Sequence, residues 1–241
     1  MQASRANAAR NVLVTGANRG LGLAFCQRLL ARGDHVVATC RRPGKAVALN
    51  TLAGHHPGRL HVLPLDVAAP KSHDELAREL PLVLGEEGRL DLLINNAGVL
   101  HSGERFGKLT AANFEDSFRT NALGPLLLTQ ALAPLLIDGA RVVNLSSQLG
   151  AVSQVTRFGT PSYAVSKAAL NMVGAQLAHA LHDRGIVVVC VHPGWVSTDM
   201  GGEGAQITPE TSAGGLLDVI DALQPEDSGR FLDWQGETVA W

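Results

Sequence analysis

Aromatic residues make up only 4% of the chain, and a single tyrosine, Tyr163, is among them. A core so short of rings must be filled mainly by Ala, Val and Leu, while 26 glycines allow backbones to approach closely. Charge is also scarce, at 17% of residues and a net −2, which gives no electrostatic case for nucleic acid or an anionic membrane as partner. The three cysteines, Cys26, Cys40 and Cys190, are odd in number, far apart and without metal-ligand spacing. Buried thiols in a reducing compartment are expected of them. The histidines show no HxxxH or other ligand pattern, so no metal site is expected. No apolar run reaches the roughly 20 residues of a membrane helix. The richest stretch, 122–137, is interrupted by Gly124, Pro125, Thr129, Gln130 and Pro134. Residues 1–10 carry arginines and polar residues but no apolar centre, which argues against a secretory signal. They are expected to be flexible, and the protein to be soluble and cytoplasmic.

What the chain does have is 46% hydrophobic residues over 241 positions, enough for one large domain. Apolar, β-rich runs occur at 12–15, 35–40, 60–66, 90–95, 140–146, 186–192 and 229–232. Their continuous Val, Ile and Leu character suits strands covered on both faces. Helical patterns fall near 20–32, 72–84, 113–137, 162–183 and 209–223. In the first, Leu21, Ala24, Phe25 and Leu29 form one apolar stripe. Alternating units of this kind predict an α/β fold: a doubly wound, Rossmann-type, seven-stranded and mostly parallel sheet with helices on both faces. One domain, 1–241, is expected, with ligands bound beyond the C-terminal strand ends.

Two motifs carry chemistry. Thr15-Gly16-Ala17-Asn18-Arg19-Gly20-Leu21-Gly22 follows the first strand and opens the first helix. Glycines there let a diphosphate approach the free N–H groups of a helix N-terminus. Tyr163-Ala164-Val165-Ser166-Lys167 places a phenol and an ammonium on one helix face. An unassisted phenol has a pKa of about 10, and a neighbouring ammonium would lower it towards the working range.

The Gly-x-x-x-Gly-x-Gly spacing resembles the short-chain dehydrogenase/reductase family. So do Asn95-Asn96-Ala97-Gly98, Asn121 in Asn121-Ala122-Leu123-Gly124, Asn144-Leu145-Ser146-Ser147, Tyr163 with Lys167, and Pro193-Gly194 with Thr198. These matches span residues 12–200 in the family's order. The segments 194–202 and 228–234 resemble its C-factor-like carbonyl reductase branch. The resemblance implies a cofactor held by Gly16, Asn18, Arg19, Gly20, Leu21 and Gly22, by Asp66 and Val67 at the adenine, and by Asn95, Ala97 and Gly98. Pro193, Gly194, Val196 and Thr198 would lie beside the nicotinamide, and Tyr163 and Lys167 at its ribose. Strand two ends in Cys40, Arg41 and Arg42, where an NAD-preferring enzyme usually carries an acid. Arg41, with Arg19, suits a 2′-phosphate, so NADP(H) is favoured over NAD(H).

By the same resemblance, Tyr163 is the proton donor to a carbonyl oxygen, Lys167 lowers its pKa, and Ser147 donates to the developing oxyanion. Asn121 would hold a water joined to Lys167. Ser146 competes with Ser147, because adjacent strand residues face opposite ways. The segment 201–205 is read as a flexible lid or a plain loop. The implied reaction is reduction of a small aldehyde or ketone, with no metal involved. The other readings are a nucleotide-binding signalling protein and an NAD-dependent alcohol dehydrogenase. The helices near 113–137 and 162–183 would form a homodimer or homotetramer surface.

Overall fold

β-branched and leucine-rich runs with no room for a polar face dictate strands buried on both sides, and the sheet is built from seven of them. The computed structural model describes residues 9–84, 88–202 and 204–241. The expected flexibility of residues 1–10 falls mostly on positions outside these. The strands are β1 (Asn11–Thr15), β2 (His35–Cys40), β3 (Leu60–Pro64), β4 (Leu90–Asn95), β5 (Leu136–Leu145), β6 (Val187–His192) and β7 (Phe231–Asp233). They lie in the order 3-2-1-4-5-6-7. All six pairings are parallel, so the sheet is wholly rather than mostly parallel.

Alternation along β1 shows how the two layers are specified. Val12 and Val14 enter one core with Phe25 and Leu29 of α1 (Gly20–Ala31) and Leu216 and Ile220 of α7 (Pro209–Ala222). Leu13 enters the other with Leu76 and Leu80 of α3 (Pro70–Val83), Leu128 of α5 (Gly124–Leu132) and Leu177 of α6 (Pro161–Ala180). Successive strand side chains point to opposite faces, so one apolar run feeds both cores. Chain order reverses between β1 and β4, which places a crevice at their C-terminal ends.

Three elements depart from those expected. A helix, α2 (Val47–His55), lies in the β2–β3 connection, with Leu49 buried and Leu52 and Ala53 packed against the core. The helix expected over 113–137 is divided into α4 (Ala111–Phe118), a π-helical turn over Arg119–Leu123, and α5. Strand β5 then starts at Leu136, which pairs with Leu90 before the register shifts ahead of Leu92–Arg141. Among the described residues no helix is long and apolar enough to cross a membrane.

Candidate active site

The chemistry-bearing side chains meet where β5 ends and α6 begins to run back along the sheet. Tyr163 and Lys167 lie one turn apart on α6, are 8% and 4% exposed, and face the same way, with Lys167 Nζ 5.5 Å from the centre of the phenol ring. Lys167 Nζ donates to the Leu145 carbonyl at 2.6 Å, which ties α6 to the last residue of β5. A Cβ placed on Gly98 would stand 3.8 Å from that ammonium and 3.2 Å from Asn121 Oδ1, so the loop after β4 closes the third side.

Burial controls the protonation of both groups. It lowers the Lys167 pKa to about 8, with the Cys190 sulfur pulling the other way. It raises the Tyr163 phenol to about 12, opposed by the Ser147 side chain. Desolvation outweighs the Ser147 hydrogen bond at the phenol.

The two serines separate cleanly. Ser146 Oγ donates to Asn171 Oδ1 at 2.6 Å, within the interface of β5 and α6. Ser147 opens the following turn, its Oγ accepting from the Leu149 N–H at 3.1 Å, on the side of Tyr163. Asn121 sits in the π-helical turn and is fully buried. Its Oδ1 accepts from the Val99 N–H at 2.8 Å, and its Nδ2 donates to the Val99 carbonyl at 2.9 Å and to Ser166 Oγ at 2.9 Å. The side chain is a clamp on the loop after β4, with both its amide oxygen and its amide nitrogen engaged by protein groups.

The Gly-rich turn has the shape a diphosphate needs. Gly16 has φ +64°, and a Cβ on Gly22 would fall 2.4 Å from the Gly16 carbonyl oxygen. No acidic residue occupies the first turn of α1, and no side chain caps it, so its N–H groups point outward for an anion. Asn96 pins the turn, donating to the Thr15 and Gly16 carbonyls at 2.8 and 3.2 Å, while Thr15 Oγ1 accepts from the Asn96 and Ala97 N–H groups. The side chain of Asn95 turns into the sheet and donates to Asn144 Oδ1 at 2.9 Å and Thr129 Oγ1 at 3.3 Å. The alternation of the strand puts Asn95 inward, and only the observed register shows that Asn96 is the one at the turn.

The remaining expected positions fall around the same crevice. Asn18, Arg19, Arg41 and Arg42 are exposed, Leu21 packs against the α1 core, and Arg19 forms an ion pair with Asp199. Asp66 Oδ1 accepts from the Ala68 N–H, and Val67 is buried with its carbonyl taken by His73. The Pro193 carbonyl accepts from Ser212 Oγ at 2.6 Å, and Thr198 lies over Gly20. The segment after Val196 folds back on itself: Ser197 N–H donates to the Ile207 carbonyl, and Trp195 Nε1 to the Gly201 carbonyl. It is a self-bonded loop in this structure. A groove of about 460 Å³ between α7 and β7 lies on another part of the surface. Glu104 also reaches the site, and nothing in its sequence neighbourhood marks it.

The short chain dehydrogenase family matches residues 10–206, and the chain belongs to that family. It is similar to C-signal of Myxococcus xanthus, 46% identical over 156 residues, covering 64% of this chain and 94% of that protein. It is similar along nearly its whole length to 1-hydroxy-2-glutathionyl-2-methyl-3-butene dehydrogenase of Rhodococcus sp. (strain AD45), 37% identical, covering 95% and 99% of the two chains. Among solved structures, NADPH-bound carbonyl reductase from chicken fatty liver superposes with a TM-score of 0.90 at 39% identity, over 97% of this chain and 99% of that one.

Proposed function

We propose that this oxidoreductase is an NADPH-dependent carbonyl reductase that converts a small aldehyde or ketone to the alcohol. The observation that carries this is the buried Tyr163–Lys167 pair beside Ser147, facing Gly98 at the crevice where the sheet order reverses. The residues fit the cofactor: Gly16 and Gly22 have no room for a Cβ against Ala97, Ala17 and the Gly16 carbonyl, which keeps the turn tight at the N-terminus of α1, and exposed Arg19 and Arg41 suit the 2′-phosphate. Bound there, NADPH supplies the hydride. Tyr163 gives its proton to the carbonyl oxygen; its raised pKa keeps the phenol protonated, as a donor must be, throughout the neutral range. Ser147 donates to the same oxygen as negative charge develops. Lys167 places a positive charge behind the phenol that stabilises it once the proton has left. The exposed Phe118 of α4 and the exposed Val165 and Met172 of α6 support a homodimer or homotetramer surface. The free buried cysteines support the cytoplasm as its compartment.

The test is NADPH absorbance with a panel of aldehydes and ketones, followed by Tyr163→Phe. Turnover should fall by about 10²–10⁴, the usual weight of a general acid, with NADPH binding kept. Unchanged turnover in that variant would remove Tyr163 from the mechanism. The similarity to C-signal favours one other reading, a nucleotide-binding signalling protein. Tight NADPH binding without turnover across the panel would favour it.

A further inference from the structure

The catalytic helix begins badly by the usual rules. Its N-cap, Thr160, has φ +41° and ψ +52°, the left-handed region that a β-branched residue rarely enters, and its side chain makes no capping bond. Pro161 follows, so the first N–H that the helix cannot satisfy internally is that of Ser162, next to Tyr163. That group is met from elsewhere in the chain. Glu104 Oε2 accepts from the Ser162 N–H at 3.1 Å and from Ser162 Oγ at 2.9 Å. Both Ser162 and its other partner, Ser117 of α4, are buried, and Ser117 Oγ lies 3.2 Å from Ser162 Oγ. Glu104 Oε1 meets Asn113 Nδ2 of α4 at 3.5 Å. Two residues on, Phe106 packs edge-to-face on Phe158, just before the helix, with ring centres 5.8 Å apart.

We infer that Glu104 is a positioning residue for Tyr163: a carboxylate from the loop after β4 that caps α6 in place of its own N-cap. A charged acceptor at a helix N-terminus also complements the helix dipole, which adds to the hydrogen bonds. The short span from Gly103 (φ +78°) to Gly107 (φ +85°) delivers it, and the Phe106–Phe158 contact holds that span against the entry to the helix. The order of the first turn of α6, and with it the placement of the phenol, therefore depends on a residue 58 positions away in sequence.

The inference rests on Tyr163 being the proton donor, and its test separates the two. Because Tyr163 is the sole tyrosine, ultraviolet absorbance of phenolate titrates it alone. In Glu104→Ala the first turn loosens, the phenol loses part of its burial, and its midpoint moves down from about 12 towards the ordinary value. kcat falls about tenfold or more, as misplacement of a reacting group predicts, while NADPH affinity by fluorescence stays within about twofold. Glu104→Gln, which keeps the acceptor for Ser162, restores the midpoint and most of kcat. Unchanged midpoint and kcat in Glu104→Ala would overturn the inference, as would equal damage in Glu104→Gln. So would a loss of NADPH affinity as large as the loss of kcat. Should Glu104→Ala fail to fold, Glu104→Asp reads the same quantities with the carboxylate drawn back by one methylene, and wild-type behaviour there overturns it. If Tyr163→Phe kept full turnover, the reductase mechanism would fail while the phenol titration still reported on Glu104.

Discussion

The two ends of the sheet are built on opposite principles. At the N-terminal strand ends, charged groups are paired with near-complete satisfaction. The Asp34 carboxylate, nearly buried, accepts from the Arg10 backbone N–H, Nε and Nη2, and Arg10 Nη1 reaches Asp221 at 2.6 Å. Arg32 bridges Asp218 and Asp221, both at 2.7 Å, closing α1 against α7. At the C-terminal ends, by contrast, a lysine is buried without a carboxylate and a tyrosine without an exposed hydroxyl. A threonine occupies a left-handed conformation there, and Asn95 Oδ1 and His192 Nδ1 are buried with no hydrogen-bond partner among the described residues. The lesson is that the first end holds the fold together, while the second keeps groups in states that water would not allow. Strain and partly satisfied polar groups gather around the proposed site.

That contrast can be broken most sharply at Lys167. Keeping its ammonium charged inside the fold costs on the order of 3 kcal/mol, from the drop to about 8 against an ordinary 10.5. In Lys167→Met this cost disappears, offset by about 1–2 kcal/mol for the Leu145 carbonyl left without its donor. Turnover should fall by about 10² or more, yet thermal unfolding at pH 7 should show no loss of stability. A large fall in Tm would show that the lysine stabilises the fold. The pH dependence has a definite sign. Because the folded pKa is depressed, wild-type stability rises as pH climbs from about 8 towards the unfolded value of 10.5 and is lost as pH falls through about 8. kcat/KM for NADPH should decline above the same point, as the ammonium discharges.

The opposite end gives the opposite signature. Asp34→Ala leaves three Arg10 donors without their acceptor and should cost about 1–3 kcal/mol, a fall in Tm of several degrees, with kcat unchanged. A matching loss of kcat would mean the two ends are coupled. The smallest effect is expected at the ion pair between Arg19 and Asp199, both well exposed. Asp199→Asn frees Arg19 for the 2′-phosphate and should tighten NADPH by about two- to three-fold, in keeping with the modest strength of surface pairs. Unchanged affinity would show that Arg19 does not read that phosphate.

Much of this was legible in the chain. Seven apolar runs gave seven strands because each is continuous and β-rich, and the motifs marked the crevice because glycine spacing and the Tyr163–Lys167 interval are local patterns. Helix α2 was not read from the chain, although Leu49, Leu52 and Ala53 mark its inner face at helical spacing; at nine residues the pattern is short. Nor was the π-helical turn at Asn121, whose extra residue sits within an unbroken helical pattern. Asn95 and Asn96 are neighbours of one type, and only pairing of β4 with β5 decides which faces the turn.

The sequence by itself determined the layered α/β fold, the Gly-rich cradle and the identity of the phenol and ammonium, because these depend on residue type and short spacing. Only the tertiary structure decided that Ser147 rather than Ser146 faces Tyr163. It also decided that burial raises the phenol pKa, and that Glu104 accepts from the first turn of α6. Those are properties of surroundings assembled from distant segments, and dielectric and hydrogen-bond partners arise only when the chain has packed.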